Sequence, residues 1–325
     1  FITMLISVIS VLPIVWVDLE FQGEPFWIHY GMVFFVTIIS IIIELYLLFV
    51  IALKLVHDLR NHLQVKTEKN DTLFNGVFGI NNILARTALE LPDPEMKILG
   101  IDPFKRISKK NLLIISLLYK AKIMLSNLII KYSLLFFIGK HIFGFSILYE
   151  AVIVECFWNF LIVRRITHET RLRLFGFVLA NKIVYNVQND GYLKNLSSSS
   201  KIECLRAIGN AVVMTQNYHP NMMVLLIRFK EMMPETDGEK LDDWNLFING
   251  LATLTTEERY FVLDLFTVAT AFDGKISRLE KKHLHEAYQA EYDVYAPRLT
   301  TLTQLLKAGK LNASLASCKL DLKAG

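Results

Sequence analysis

Residues 27–56 read WIHYGMVFFVTIISIIIELYLLFVIALKLV, an apolar run broken near its middle by one carboxylate, Glu44. At a rise of ~1.5 Å per residue, a helix of this length crosses a bilayer core of roughly 30 Å with some tilt. The chain is therefore expected to be membrane-bound, and the remaining segments take their places around this one.

The flanks give the stretch a direction. Residues 1–17 form a second apolar run, expected to be a transmembrane helix that pairs with 27–56 as a hairpin. No Ala-x-Ala-like site follows it, which disfavours a cleaved leader. The connecting loop carries Asp18, Glu20 and Glu24 and no Lys or Arg, whereas Lys54, Arg60, Lys66 and Lys69 follow the second run. By the positive-inside rule the loop lies outside and the chain after Lys54 is cytoplasmic. Along 1–17 the polar groups are Thr3, Ser7 and Ser10. Glu44 is thus expected to be protonated, hydrogen-bonded to such groups, or paired with another chain.

With 53% hydrophobic residues and a mean hydropathy of +0.38, the chain is too apolar for an ordinary soluble protein, while 20% charged residues exceeds a pure membrane bundle. The two averages belong to different segments: the apolar runs precede Val163, and the last third is mixed and charged. The basic residues cluster beside apolar runs, a pattern suited to anionic headgroups and not to nucleic acid. Cys156, Cys204 and Cys318 lie far apart without CxxC spacing, so no disulfide framework or zinc site is expected.

Four regions follow: 1–56, the transmembrane hairpin; 57–110, a cytoplasmic helix and linker; 111–190, an apolar helical hairpin plus a basic helix; and 198–315, a small helical domain. In the second, Leu73, Val77, Ile80, Ile83 and Leu84 predict one amphipathic helix before the proline-rich linker. In the third, Leu112–Ile138 and Ile142–Val163 are each long enough to span, yet carry Lys120, Lys122, Lys131, Glu150 and Glu155. An antiparallel hairpin would set Lys131 opposite Glu150, and Ser126 or Asn127 opposite Glu155. The charge load favours a membrane-associated or re-entrant form over a full crossing. Residues 164–188 then predict a helix or pair of helices with a basic start.

The last region reads as short amphipathic helices. Asp242 or Asp243 caps a helix near Trp244, and Thr255–Glu258 is a capping box opening a helix over 257–272. Ser277–Glu280 is a second box, opening 278–292. Its sharpest motif is Asp273-Gly274-Lys275-Ile276-Ser277-Arg278-Leu279-Glu280. As a calcium loop it lacks carboxylates at the first two ligand positions, which fall on Ala269 and Ala271. A helix, Asp-Gly-x-Ile-Ser-x-x-Glu and a second helix resemble the turn of the tellurite-resistance, TerB-like helical domains. The resemblance implies an all-α bundle with two pseudo-repeated turns and a divalent metal site at Asp273 and Glu280. Residues 211–221 align on 267–277 as the first copy, where Asn217 and Val224 replace the two acidic positions. Both acidic residues also have a purely structural reading, Glu280 as the N3 member of the capping box and Asp273 as a helix stop. His219-Pro220-Asn221 reads as a helix start, and His283 and His285 as solvated.

No HExxH, GxSxG or kinase signature occurs, so no catalytic residue and no cofactor is expected. The resemblance implies a bacterial inner-membrane scaffold or interaction subunit that presents a cytoplasmic TerB-like domain to other subunits. The alternative is an ion- or proton-coupled complex subunit using intramembrane Glu44.

Overall fold

The computed structural model describes residues 2–62, 80–88, 101, 147–216, 219–236 and 238–320. Among these, all regular structure is helical: α1 (Ile2–Glu20), α2 (Phe26–His62), α3 (Ile80–Ala88), α4 (Ile147–Asn189), α5 (Tyr192–Asn195), α6 (Ser198–Thr215), α7 (Pro220–Met232), α8 (Trp244–Thr253), α9 (Thr256–Ala271), α10 (Arg278–Tyr288), α11 (Tyr292–Ala308) and α12 (Leu311–Ser317). Two 3₁₀ turns, Pro234–Thr236 and Gln289–Glu291, join neighbours. The chain divides into two compact units, and of the described residues 2–59 and 147–167 fall in the first. The central hairpin turn and Lys131 lie outside the described residues, as does most of 57–110.

In the first unit the helices turn serines and a glutamate inward beside small and medium apolar residues and leave their largest apolar side chains outside. The buried positions of α2 include Ser40, Glu44, Leu48, Ala52 and Val56, a row at i, i+4 spacing. Its outer face carries Phe34, Phe35, Ile38, Ile42, Tyr46, Phe49 and Leu53. On α1 the row is Ile6, Ser7, Ser10, Val11 and Val17, with Leu5, Ile9, Leu12, Trp16 and Leu19 outside. Pro13 removes one backbone donor within α1, and the Ser7 and Ser10 hydroxyls bond carbonyls of the same helix at Thr3 and Ser7. The turn between α1 and α2 is pinned where His29 Nε2 meets Asp18 Oδ1 at 2.9 Å. Both helices are long and apolar enough to cross a membrane.

The second unit has the opposite sidedness, with a conventional apolar interior. From Phe261 to Ala271, α9 is buried on every side, as is α6 from Glu203 to Met214 except at half-buried Arg206, and these two helices form the main packing pair. Each opens on a local cap. Ser197 Oγ accepts the Ser200 N–H at 3.2 Å, and Thr255 with Glu258 makes a reciprocal capping box. Asp243 Oδ1 accepts from Asn245 and Leu246 to start α8, and Ser277 with Glu280 starts α10. Helix α10 stops at Tyr288, short of the expected 292, because Gln289 turns to φ 48° and a 3₁₀ turn intervenes. The basic segment 164–188 is one helix, the uninterrupted continuation of α4, and a short helix and a serine cap follow it. At the 56-residue offset of the two sequence copies, α6 ends at Thr215 and α9 at Ala271.

One side chain joins three elements of this unit. Asn221 Nδ2, at the start of α7, donates to Leu172 O of α4 at 3.1 Å and to Phe272 O after α9 at 3.0 Å. Space for it exists because residue 176 is glycine: a Cβ there would lie 2.0 Å from Asn221 Nδ2. Buried hydrogen bonds of this kind are worth ~0.5–1.5 kcal/mol each. Gly176→Ala and Asn221→Ala are both expected to lower the denaturation midpoint of the purified chain. Because each disrupts the same joint, the double variant should lose less than the sum of the two; strict additivity would show that the joint is not shared.

Candidate functional site

Two groups of buried polar residues stand out, one in each unit. In the first unit, Glu44 is 5% exposed and Asn159 is 2% exposed. Asn159 Nδ2 donates to Glu44 Oε1 at 2.7 Å and to Ser7 Oγ at 3.0 Å, so one amide links α1, α2 and α4. One turn earlier on α4, Cys156 Sγ lies 3.8 Å from Met4 O. The residues of α4 on either side, Phe157, Phe160 and Leu161, are exposed, which leaves Asn159 as the inward position. Of the three states expected for Glu44, hydrogen bonding is observed, but its donor comes from α4. The sequence held a signal for it: Asn159 is a lone uncharged polar residue within the apolar segment 156–163. Glu150 and Glu155 also lie on α4, but their side chains, like all of Lys131, fall outside the described residues, and so does the expected pairing.

In the second unit, Asp273 and Glu280 are each engaged by their own turn. Asp273 Oδ1 accepts the Lys275 N–H at 2.8 Å, and Glu280 Oε2 accepts the Ser277 N–H while the Ser277 hydroxyl takes the Glu280 N–H at 3.1 Å. Gly274, at φ +71°, lets the turn close against Leu172. Glu280 is fully buried, its Oε1 without a partner. Burial pushes its carboxyl up to about 7, with the Asp273 charge adding to the effect against the Ser277 bonds. Asp273 is raised for the same first reason, with His219 and Lys275 opposing.

Beside this turn stand groups that motif reading did not connect. His219 is buried with its Nε2 3.7 Å from Glu169 Oε1, and Arg173 Nε donates to the same oxygen at 3.0 Å. Burial favours the neutral form of Glu169, but the His219 and Arg173 contacts overcome it and hold the carboxyl far below its usual range. Elsewhere, Glu203 is buried against Arg206 Nη1 at 2.6 Å, and burial pushes its carboxyl up to about 7. Asp264 is buried and paired with Arg298, which also donates to Ser317 O and Lys319 O and so fastens the chain after α11. Among the described residues, no three His, Cys, Asp or Glu groups converge as a metal site.

Comparisons of the chain with known protein families, with characterised proteins and with solved structures find no match.

Two outcomes are expected. Asn159→Leu leaves the Glu44 carboxyl buried without that donor and should destabilise the detergent-solubilised chain by ~1–3 kcal/mol, with Glu44→Leu restoring most of the loss in the double variant. An uncoupled pair of losses in thermal melts would remove Asn159 as the partner. The second concerns pH. Glu203 and Glu280 have native values of about 7 against an ordinary 4.5, so the native state holds their protons longer. Their contribution is full below 4.5 and is lost as pH rises through about 7, at up to ~1.4 kcal/mol per pH unit per group. Glu169 acts in the opposite direction, contributing above its ordinary value and losing that only in acid. Denaturation of the second unit followed from mildly acidic to mildly basic pH should show falling stability, and Glu280→Gln should flatten the slope. An unchanged slope in that variant would exclude Glu280 as its source.

Proposed function

We propose that this chain is a membrane-anchored scaffold or interaction subunit of a bacterial inner-membrane assembly, presenting its second unit, TerB-like by resemblance, to other subunits in the cytoplasm. The observation that carries the reading is the inverted burial of α1 and α2. A helix that hides serine and glutamate while exposing phenylalanine, isoleucine and leucine has its most favourable surroundings in lipid. Water would exact a large cost for that outer face.

The orientation follows from charge. Lys54 and Arg60 end α2, while the turn between the helices holds acidic residues and no Lys or Arg. On this reading α1 and α2 form a transmembrane hairpin, and the inward Asn159 of α4 is its internal fastening. The scaffold role is supported by the second unit, where the buried ionisable groups are spent on caps and ion pairs that hold helices together. The alternative reading, an ion- or proton-coupled complex subunit using Glu44, rests on the burial of that carboxylate.

Topology and assembly test the proposal together. The chain should stay with membranes through alkaline carbonate extraction. Gly23→Cys should react with an impermeant maleimide on intact spheroplasts, and Lys240→Cys only after permeabilisation. In mild detergent the native complex should exceed the 37.4 kDa of the chain. Carbonate-soluble protein would overturn the anchor, reversed labelling the orientation, and a lone monomer the scaffold.

A further inference from the structure

The turn that joins α1 to α2 is flanked by aromatic rings on both helices. Asp18 Oδ1 and His29 Nε2 meet at 2.9 Å, which brings the last turn of α1 level with the first turn of α2. Counted from that contact at ~1.5 Å per residue, Trp16, Phe26, Trp27 and Tyr30 all fall within roughly 5 Å of one level. Every one of them is exposed, Trp27 at 85%. The Phe26 ring lies 5.6 Å from that of Trp27 and 4.5 Å from that of Tyr30, and Tyr30 stacks on His29. One polar contact thus gathers the rings of two helices into a single collar.

Away from this level the outer chemistry changes. Towards Lys54 the exposed side chains of α2, such as Phe34, Phe35, Ile38 and Phe49, have no polar atom, with the Tyr46 hydroxyl as the exception. Tryptophan and tyrosine instead join an apolar ring to one N–H or O–H, and their most favourable place is a boundary that offers hydrocarbon on one side and acceptors on the other. The spacing matches such a boundary. Each interfacial zone of a bilayer is roughly 5–7 Å deep, about the height of the collar. Roughly 37 Å of helix separates His29 from Lys54, which at a tilt of ~20° covers the hydrocarbon core of ~30 Å and part of each interface. Asp18, Glu20 and Glu24, with no Lys or Arg beside them, give this end no attraction for anionic headgroups. The acceptors that suit it are the uncharged ester carbonyls beneath the headgroups.

We propose that Trp16, Phe26, Trp27 and Tyr30 form an aromatic collar that docks at the ester zone of a phospholipid bilayer and fixes the depth of the first unit. The inference rests on the membrane reading above and adds to it a level, a set of rings and a lipid group. The Asp18–His29 contact holds the collar together by keeping Trp16 of α1 beside the rings of α2.

The test uses the full chain in nanodiscs of phosphatidylcholine brominated either near the ester end or near the methyl end of its acyl chains. Tryptophan fluorescence is read for the native chain and for the double variant Trp16→Phe, Trp27→Phe, whose substitutions fall on exposed rings, and the difference is the emission of the collar. Bromine near the esters is expected to quench that emission roughly twofold or more over bromine near the methyl ends, as for rings held at the headgroup boundary. An equal or reversed ratio would place the rings deep in the hydrocarbon and overturn the collar. Incorporated chain whose collar emission neither lipid quenches would also overturn it, with the rings in water or under protein. A chain that stays outside the discs overturns the membrane reading and the collar with it, whereas incorporated chain with the wrong ratio overturns the collar alone.

Discussion

A carboxylate buried among apolar helices must find a donor, and the first unit is arranged around how Glu44 finds its own. Asn159 gives its amide hydrogens to Glu44 and to Ser7, and the Ser7 hydroxyl passes its own to Thr3 O. Burial shuts out competing water, so each of these groups is tied to the other helices by the cost of leaving its partner unmade. The largest apolar side chains of α1 and α2 face outward, so they add little between the helices. What gives the three helices a register is thus a handful of polar atoms. Leu48, Ala52 and Val56 continue the same inward row below Glu44.

The second unit solves a different problem. Its apolar interior supplies the cohesion, with Phe229, Phe247, Phe261, Phe266 and Phe272 all fully buried. Polar groups inside it act as joints. Asn221 connects α4, α7 and the end of α9, and Arg298 connects α9, α11 and the chain beyond α12. Tyr288 shares a hydrogen bond with Thr267 at 2.8 Å and stacks on Tyr295. A buried ion pair such as Asp264–Arg298 adds little net energy over an apolar pair, but losing one member is costly, so it favours a unique arrangement.

What the sequence made legible was local. The capping boxes at Thr255 and Ser277 and the Asp243 cap could be read because a cap is settled within four residues. The apolar run 27–56 sits within α2, which continues through the polar residues up to His62 because nothing in 57–62 breaks a helix. Asp273 and Glu280 were found by their motif, and their turn is as the capping reading has it. The bond from Asn159 to Glu44 was not found, since Asn159 is 115 residues away and no period or spacing links them. The same is true of His219 with Glu169: one was visible as a helix start, the other as a charge on a helix. Their meeting depends on how α7 packs against α4.

The order in which these partners are made has its own consequence. Glu44 leaves the ribosome 115 residues ahead of Asn159. At synthesis rates of roughly 5–20 residues per second, on the order of 6 to 23 seconds pass before the Asn159 amide exists. The bond between α2 and α4 therefore forms only after α1 and α2 are both made, so it closes the arrangement of the first unit and does not begin it.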